Sequence, residues 1–247
     1  MADGVELRFP RTSVDLLLLH APAFFDFRER DDVYFPYLST SGDVPITPLY
    51  EYFPVGFKTL QRHLGDRGFS TRILNLSTVL LKYPSIDVDA LLGSIDAKLI
   101  GIDLHWMVHV QGSLAVASRL KHLHPETPII FGGISSTYYA SELVRYPFID
   151  MVMKGYDTHA PMTRLMTELG GARRFETIEN LIWKRGGDVV DNGTTHTPDG
   201  YSCGIDWSTV PREEVSEILE LLSTQNAGCA YNCGWCGGSR EAFRRLY

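Results

Sequence analysis

The sequence predicts an α/β fold: a doubly wound, flavodoxin-like, five-stranded parallel sheet, then a small β-hairpin and linker, then the first strand and loop of a further unit. Three observations predict it. Short apolar runs of strand length recur through residues 13–170. Amphipathic stretches with helical spacing separate them. Glycines or prolines stand at most of the junctions. The hairpin and linker occupy 171–215, and the further unit spans 216–247.

The elements follow in order. Val14 to Leu19 is almost continuously apolar, as suits a strand buried on both faces of a parallel sheet. Val55 to Leu64 has helical spacing, with Val55, Leu60 and Leu64 inside and Lys58, Gln61 and Arg62 outside. Arg72 to Leu76 is the second strand, Val88 to Ile95 a short helix, and Lys98 to Leu104 the third strand. Val110 to Leu123 is a helix, Pro128 to Phe131 the fourth strand, and Ser141 to Arg145 a brief helix. Asp150 to Met153 is the fifth strand, and Ala160 to Leu169 the last helix of the series. Right-handed crossovers leave few topologies for such a string. Leu181 to Lys184 and Asp188 to Val190 flank Arg185-Gly186-Gly187 and read as a hairpin. Between the first strand and first helix, Tyr34 to Pro54 is a long connection rich in proline and aromatic residues, a length usual for functional loops.

A net charge of −7 argues against a general nucleic-acid grip, which needs a clustered basic footprint. No apolar run has the length of a membrane span, and Met1-Ala2-Asp3-Gly4 lacks the basic start of a signal peptide. The expectation is a cytoplasmic protein with neither membrane nor nucleic-acid partner.

Of four cysteines, three fall within eight residues: Cys229, Cys233 and Cys236, spaced C-x3-C-x2-C after a predicted strand at Glu217 to Leu222. Disulfide frameworks spread their cysteines along the chain, so this cluster reads as metal ligation. Three thiolates can hold three irons of a four-iron cluster and leave the fourth iron open to a ligand. Zinc is the alternative, but a structural zinc site needs a fourth ligand, and both Cys203 and His196 are poorly placed by spacing. Cys203 reads as an incidental thiol.

The C-x3-C-x2-C spacing, with aromatic Trp235 before the last cysteine and Gly228 before the first, resembles the signature of the radical S-adenosylmethionine superfamily. The resemblance implies the start of a partial (β/α) barrel and a 4Fe-4S cluster on Cys229, Cys233 and Cys236. It also implies S-adenosylmethionine with its adenine near Trp235, and reductive cleavage to a 5′-deoxyadenosyl radical. An external electron donor such as a flavodoxin or ferredoxin would feed it. The substrate, a small molecule or a peptide, stays unnamed. On this reading the chain is the N-terminal portion of a longer enzyme and inactive by itself. No catalytic residue is assigned.

The sheet ahead of that motif looks like the cobalamin-binding domain of cobalamin-dependent members. The similarity covers Val14 to Leu169, through Pro54-Val55-Gly56, Phe131-Gly132-Gly133 and Met153-Lys154-Gly155-Tyr156-Asp157. It implies cobalamin contacts from Pro54, Leu104, His105, Gly132, Gly133 and Gly155, with Pro22, Ala23, Trp106 and the Tyr50 to Phe53 stretch nearby. Two departures stand out. No D-x-H-x-x-G motif follows the first strand, where His20 runs into Ala21-Pro22, and Gly155-Tyr156-Asp157 replaces the usual acidic run. The sheet could therefore be a scaffold that binds no cobalamin. His105 and His109 read as rim residues, and His122 and His124 as surface residues at a helix end.

Overall fold

The computed structural model describes residues 13–29, 54–155 and 157–196. The elements are β1 (Val14–His20), α1 (Val55–Gly65), β2 (Thr71–Asn75), α2 (Leu76–Lys82), α3 (Val88–Gly93) and β3 (Ala97–Asp103). There follow α4 (Val110–Leu123), β4 (Ile129–Gly132), α5 (Ile134–Tyr138), α6 (Ala140–Leu143), β5 (Met151–Met153), α7 (His159–Leu169), β6 (Leu181–Arg185) and β7 (Asp188–Asp191). All five predicted parallel strands form, in spatial order β2-β1-β3-β4-β5. The predicted hairpin also forms, but it continues the same sheet. β6 pairs antiparallel with β5, and β7 with β6, giving seven strands. The linker from 197, the strand Glu217 to Leu222 and the cysteine loop lie outside the described residues.

Alternation along the strands builds two aliphatic layers. Leu17, Leu19, Leu74, Ile100, Ile102, Ile129, Phe131 and Val152 meet α2, α3, α4 and α6 on one face. Leu16, Leu18, Ile73, Leu99, Ile130, Met151 and Met153 meet α1 and α7 on the other. Leu16 to Leu19 are each no more than 2% exposed, so β1 is buried on both sides. Each such side chain contributes about 2 kcal/mol of transfer free energy, which makes this strand the anchor of the sheet.

Several details depart from the pattern. Lys58 is buried, 8% exposed, with its ammonium donating to Gln61 Oε1 at 2.8 Å, while Gln61 Nε2 donates to the Thr71 carbonyl. The long stem of lysine can be buried wherever its head finds an acceptor. The short helix α2 starts where the second strand was expected to continue. Asn75 caps it, its side chain accepting from Thr78 N–H at 3.1 Å. His124 is half-buried and donates to the Leu92 carbonyl at 2.8 Å, so it ties α4 to α3 rather than standing on the surface.

The segment leaving β1 is fastened down. The Arg28 guanidinium pairs with Asp26 at 2.6 Å and donates to the carbonyls of Pro84 and Ile86 at 3.0 and 2.8 Å. Gln111 brackets Phe25, accepting from its N–H at 2.8 Å and donating to its carbonyl at 3.1 Å.

Candidate ligand-binding crevice

An open α/β sheet binds ligands beyond the carboxyl ends of its strands, at the point where strand order reverses. That point lies here between β1 and β3, because the chain turns from β1 outward to β2 and then back to β3. His20 ends β1, and the register places Asp103, at the end of β3, beside it. The two side chains meet. His20 Nδ1–H donates to the Asp103 carboxylate, with both oxygens within 3.0 Å. His20 and His109 are 5% and 2% exposed, and their ring centroids lie 5.0 Å apart. Ser113, also buried, donates to the Asp103 carbonyl at 3.1 Å. His105 lies at the rim with its edge against Trp106, 4.8 Å between centroids. Crowding by surrounding protein pushes its pKa below that of free imidazole, Asp103 pulls the other way, and His109 and His20 add to the lowering.

Helix α5 locks the neighbouring loops together. Leu104 N–H donates to the Gly132 carbonyl at 2.8 Å, and Ser136 N–H to the Leu104 carbonyl at 3.1 Å. Ser135 Oγ donates to the His105 carbonyl at 3.0 Å. Thr137 Oγ1 donates to the Gly133 carbonyl and accepts from Gly155 N–H, both at 2.9 Å. Three strand ends are thereby tied to one short helix.

This geometry divides the residues expected at the site. Gly133 has φ +107°, and a Cβ there would fall 2.9 Å from the Leu104 carbonyl atoms. Its missing side chain therefore admits protein backbone rather than ligand. Gly155, also at φ +107°, makes room for Asn180, whose Nδ2 would lie 2.8 Å from a Cβ. Gly132 alone of the three has open space on its side-chain position, with nothing within 4 Å. It shares the sheet face of His20 and Asp103, as the register shows. Leu104 is buried by its side chain and has both peptide groups bonded, so it shapes the crevice without facing it. Pro54 begins α1, accepting from Phe57 N–H at 2.9 Å. Pro22 and Ala23 are buried against α4, where Gly112 N–H donates to the Ala23 carbonyl. Trp106 and Met107, 45% and 41% exposed, give the rim an apolar surface.

Sequence reading weighed His20 only as a motif histidine and set it aside, and it did not single out Asp103 or Gly112. His20 and Asp103 are 83 residues apart, and only the strand register joins them. Cys229, Cys233, Cys236 and Trp235 lie outside the described residues. Among the described residues no group of three His, Cys, Asp or Glu side chains is arranged to hold a metal ion, and no helix is long and apolar enough to cross a membrane.

Residues 43–163 match the family model described as the B12 binding domain. The matched stretch holds β2 to β5 of the flavodoxin-like sheet, and β1 lies ahead of it. Among solved structures, the chain is similar to the radical S-adenosylmethionine methyltransferase TsrM from Kitasatospora setae, with cobalamin and a 4Fe-4S cluster bound. Identity is 18% and the TM-score 0.50, over 74% of this chain and 31% of that one. It is also similar to the cobalamin-dependent S-adenosylmethionine radical enzyme OxsB, at 13% identity and TM-score 0.48, over 76% of this chain and 23% of that one. The chain spans less than a third of the length of these structures. No curated protein matches it.

Proposed function

We propose that this chain is the cobalamin-binding, N-terminal portion of a cytoplasmic radical S-adenosylmethionine enzyme, and that the transfer of a methyl group is its reaction. The observation that carries the reading is the match of residues 43–163 to the B12 binding domain on a sheet whose switch-point crevice is open beside Gly132. Gly132 would leave room for the corrinoid on the face shared with His20 and Asp103, and Trp106 and Met107 would offer an apolar rim to it. No histidine here follows the D-x-H-x-x-G pattern, so none is marked by that motif as a residue that would ligate cobalt. Bound cobalamin would supply a cobalt able to carry a methyl group, and the protein's part is to hold it and tune its surroundings. Cys229, Cys233 and Cys236 are the residues that would hold a 4Fe-4S cluster, and Trp235 is the aromatic residue that would serve the adenine of S-adenosylmethionine. A flavodoxin or ferredoxin supplies the electron.

Hydroxocobalamin titration of the chain tests the sheet. Gly132→Leu is expected to weaken binding by at least about tenfold, the effect of losing roughly 1.4 kcal/mol, with the melting temperature unchanged. Equal affinity would remove Gly132 from the site, and no binding by either protein would leave the sheet a scaffold. Iron and sulfide analysis after anaerobic purification tests the cysteines. Ala at Cys229, Cys233 or Cys236 in the full-length enzyme abolishes cluster loading and S-adenosylmethionine cleavage, whereas Cys203→Ala keeps both. A colourless protein holding zinc on these cysteines would sink the assignment.

A further inference from the structure

Away from the crevice, α1 and α7 meet through a cluster of imidazoles that the proposed function does not use. His63 of α1 and His159 of α7 lie 4.8 Å apart between ring centroids, tilted by 55°. His159 Nδ1–H donates to Asp157 Oδ1 at 2.6 Å, and the same oxygen accepts His159 N–H at 3.0 Å. His63 Nε2 is 3.0 Å from Thr163 Oγ1. That hydroxyl has one hydrogen and donates it to the His159 carbonyl at 3.0 Å. It can therefore only accept from His63, which fixes the neutral His63 ring as the Nε2–H tautomer. Any added proton must enter at Nδ1, on a ring whose centroid lies 4.8 Å from that of a second imidazole.

We propose that His63 and His159 form a proton-sensitive latch between α1 and α7, which holds the helix pair together near neutral pH and loosens it on acidification. His159 already has Asp157 as its hydrogen-bond acceptor, and Asp157 Oδ1 serves it twice. Among the described residues no carboxylate is hydrogen-bonded to His63; His159 and Arg67 oppose a proton there, and Asp157 and Asp66 partly offset them. The Glu179 carboxylate is engaged by Arg164, with His196 4.0 Å from the same oxygen, so it is committed away from His63. Desolvation, followed by the charges of His159 and Arg67, holds the His63 pKa below the free imidazole value. The sign follows. A base with a depressed folded pKa stabilises the fold above the unfolded value of about 6.5 and withdraws that stability as pH falls.

Both helices begin at the carboxyl edge of the sheet, α1 after Pro54 and α7 shortly after Gly155, so a loosened latch frees the two elements bordering one side of the crevice. The latch rests on this geometry and not on cobalamin binding, so either can fail without the other. Amide hydrogen exchange of the ligand-free full chain, corrected for intrinsic rates, tests it at about pH 7.5 and about pH 5.5, either side of the free histidine value. Protection of α1 and α7 relative to α4 is expected to fall at the lower pH. In His63→Gln, whose amide can still donate to Thr163, the ratio should hold. A wild-type ratio unchanged by pH, or a fall of equal size in His63→Gln, overturns the proposal. Should His63→Gln not fold, the His63 Cε1–H titration by proton NMR decides. His159→Gln must move its midpoint upward, and an unmoved midpoint overturns the latch.

Discussion

At the scale of single residues, Gly112, Gly132 and Gly133 do different work. At Gly112, a Cβ would stand 1.7 Å from the Pro22 carbonyl oxygen, inside covalent range. Backbone meets backbone there, and neither side can swing away as a long side chain could. Gly112→Ala should therefore cost at least about 3 kcal/mol, read as a melting temperature lower by roughly 6 to 12 °C. Gly132→Ala should leave stability within about 0.5 kcal/mol, since its side-chain position is open. If the two substitutions melted alike, the backbone contact between α4 and the loop after β1 would be disproved. The sequence signalled a glycine pair at 132–133 but could not say which member faces a ligand. That distinction depends on where the Leu104 carbonyl lies, and no local pattern encodes it.

Among the elements, α5 has an influence out of proportion to its length. Thr137 Oγ1 is both donor to the loop after β4 and acceptor from the loop after β5. Thr137→Val keeps the shape and removes both bonds, for a cost of about 1 to 2 kcal/mol. The expected signature is faster amide exchange at Gly155, with that of α4 unchanged; unaltered exchange at Gly155 would show that the hydroxyl is not its acceptor. Both α5 and α2 escaped sequence reading for physical reasons. Ile134 to Tyr138 is rich in serine and β-branched residues, which helices do not favour, and it forms because tertiary bonds hold it. Leu76 to Lys82 follows β2 directly, with no glycine or proline between them, so only the capping bond of Asn75 marks the change. The strands were legible because burial on both faces leaves its mark as uninterrupted apolar runs.

For the whole molecule, the lesson is where the sheet stops. Composition changes near Gly170, yet Met151, Val152 and Met153 pair with Trp183, Ile182 and Leu181, and the hairpin completes the layer of α1 and α7. A chain ending at residue 170 exposes the hydrogen-bonding edge of β5 and uncovers Met151 and Met153. It should be insoluble or should lose its cooperative melt, whereas a chain ending at 196 should melt cooperatively, as followed by circular dichroism. Equal melting of the two would make the hairpin an ornament. The His20–Asp103 pair has a consequence of its own for this sheet. Leu16 to Leu19 present four nearly equivalent side chains, and a slide of β1 along β3 would still bury leucine against isoleucine. A slip by one position, however, would set the imidazole against Ile102 or Leu104 and strand the carboxylate among aliphatic groups, which low-polarity surroundings penalise. The polar pair at the end of an otherwise featureless strand thus acts as an alignment mark, selecting one of several packings that the leucines alone would accept.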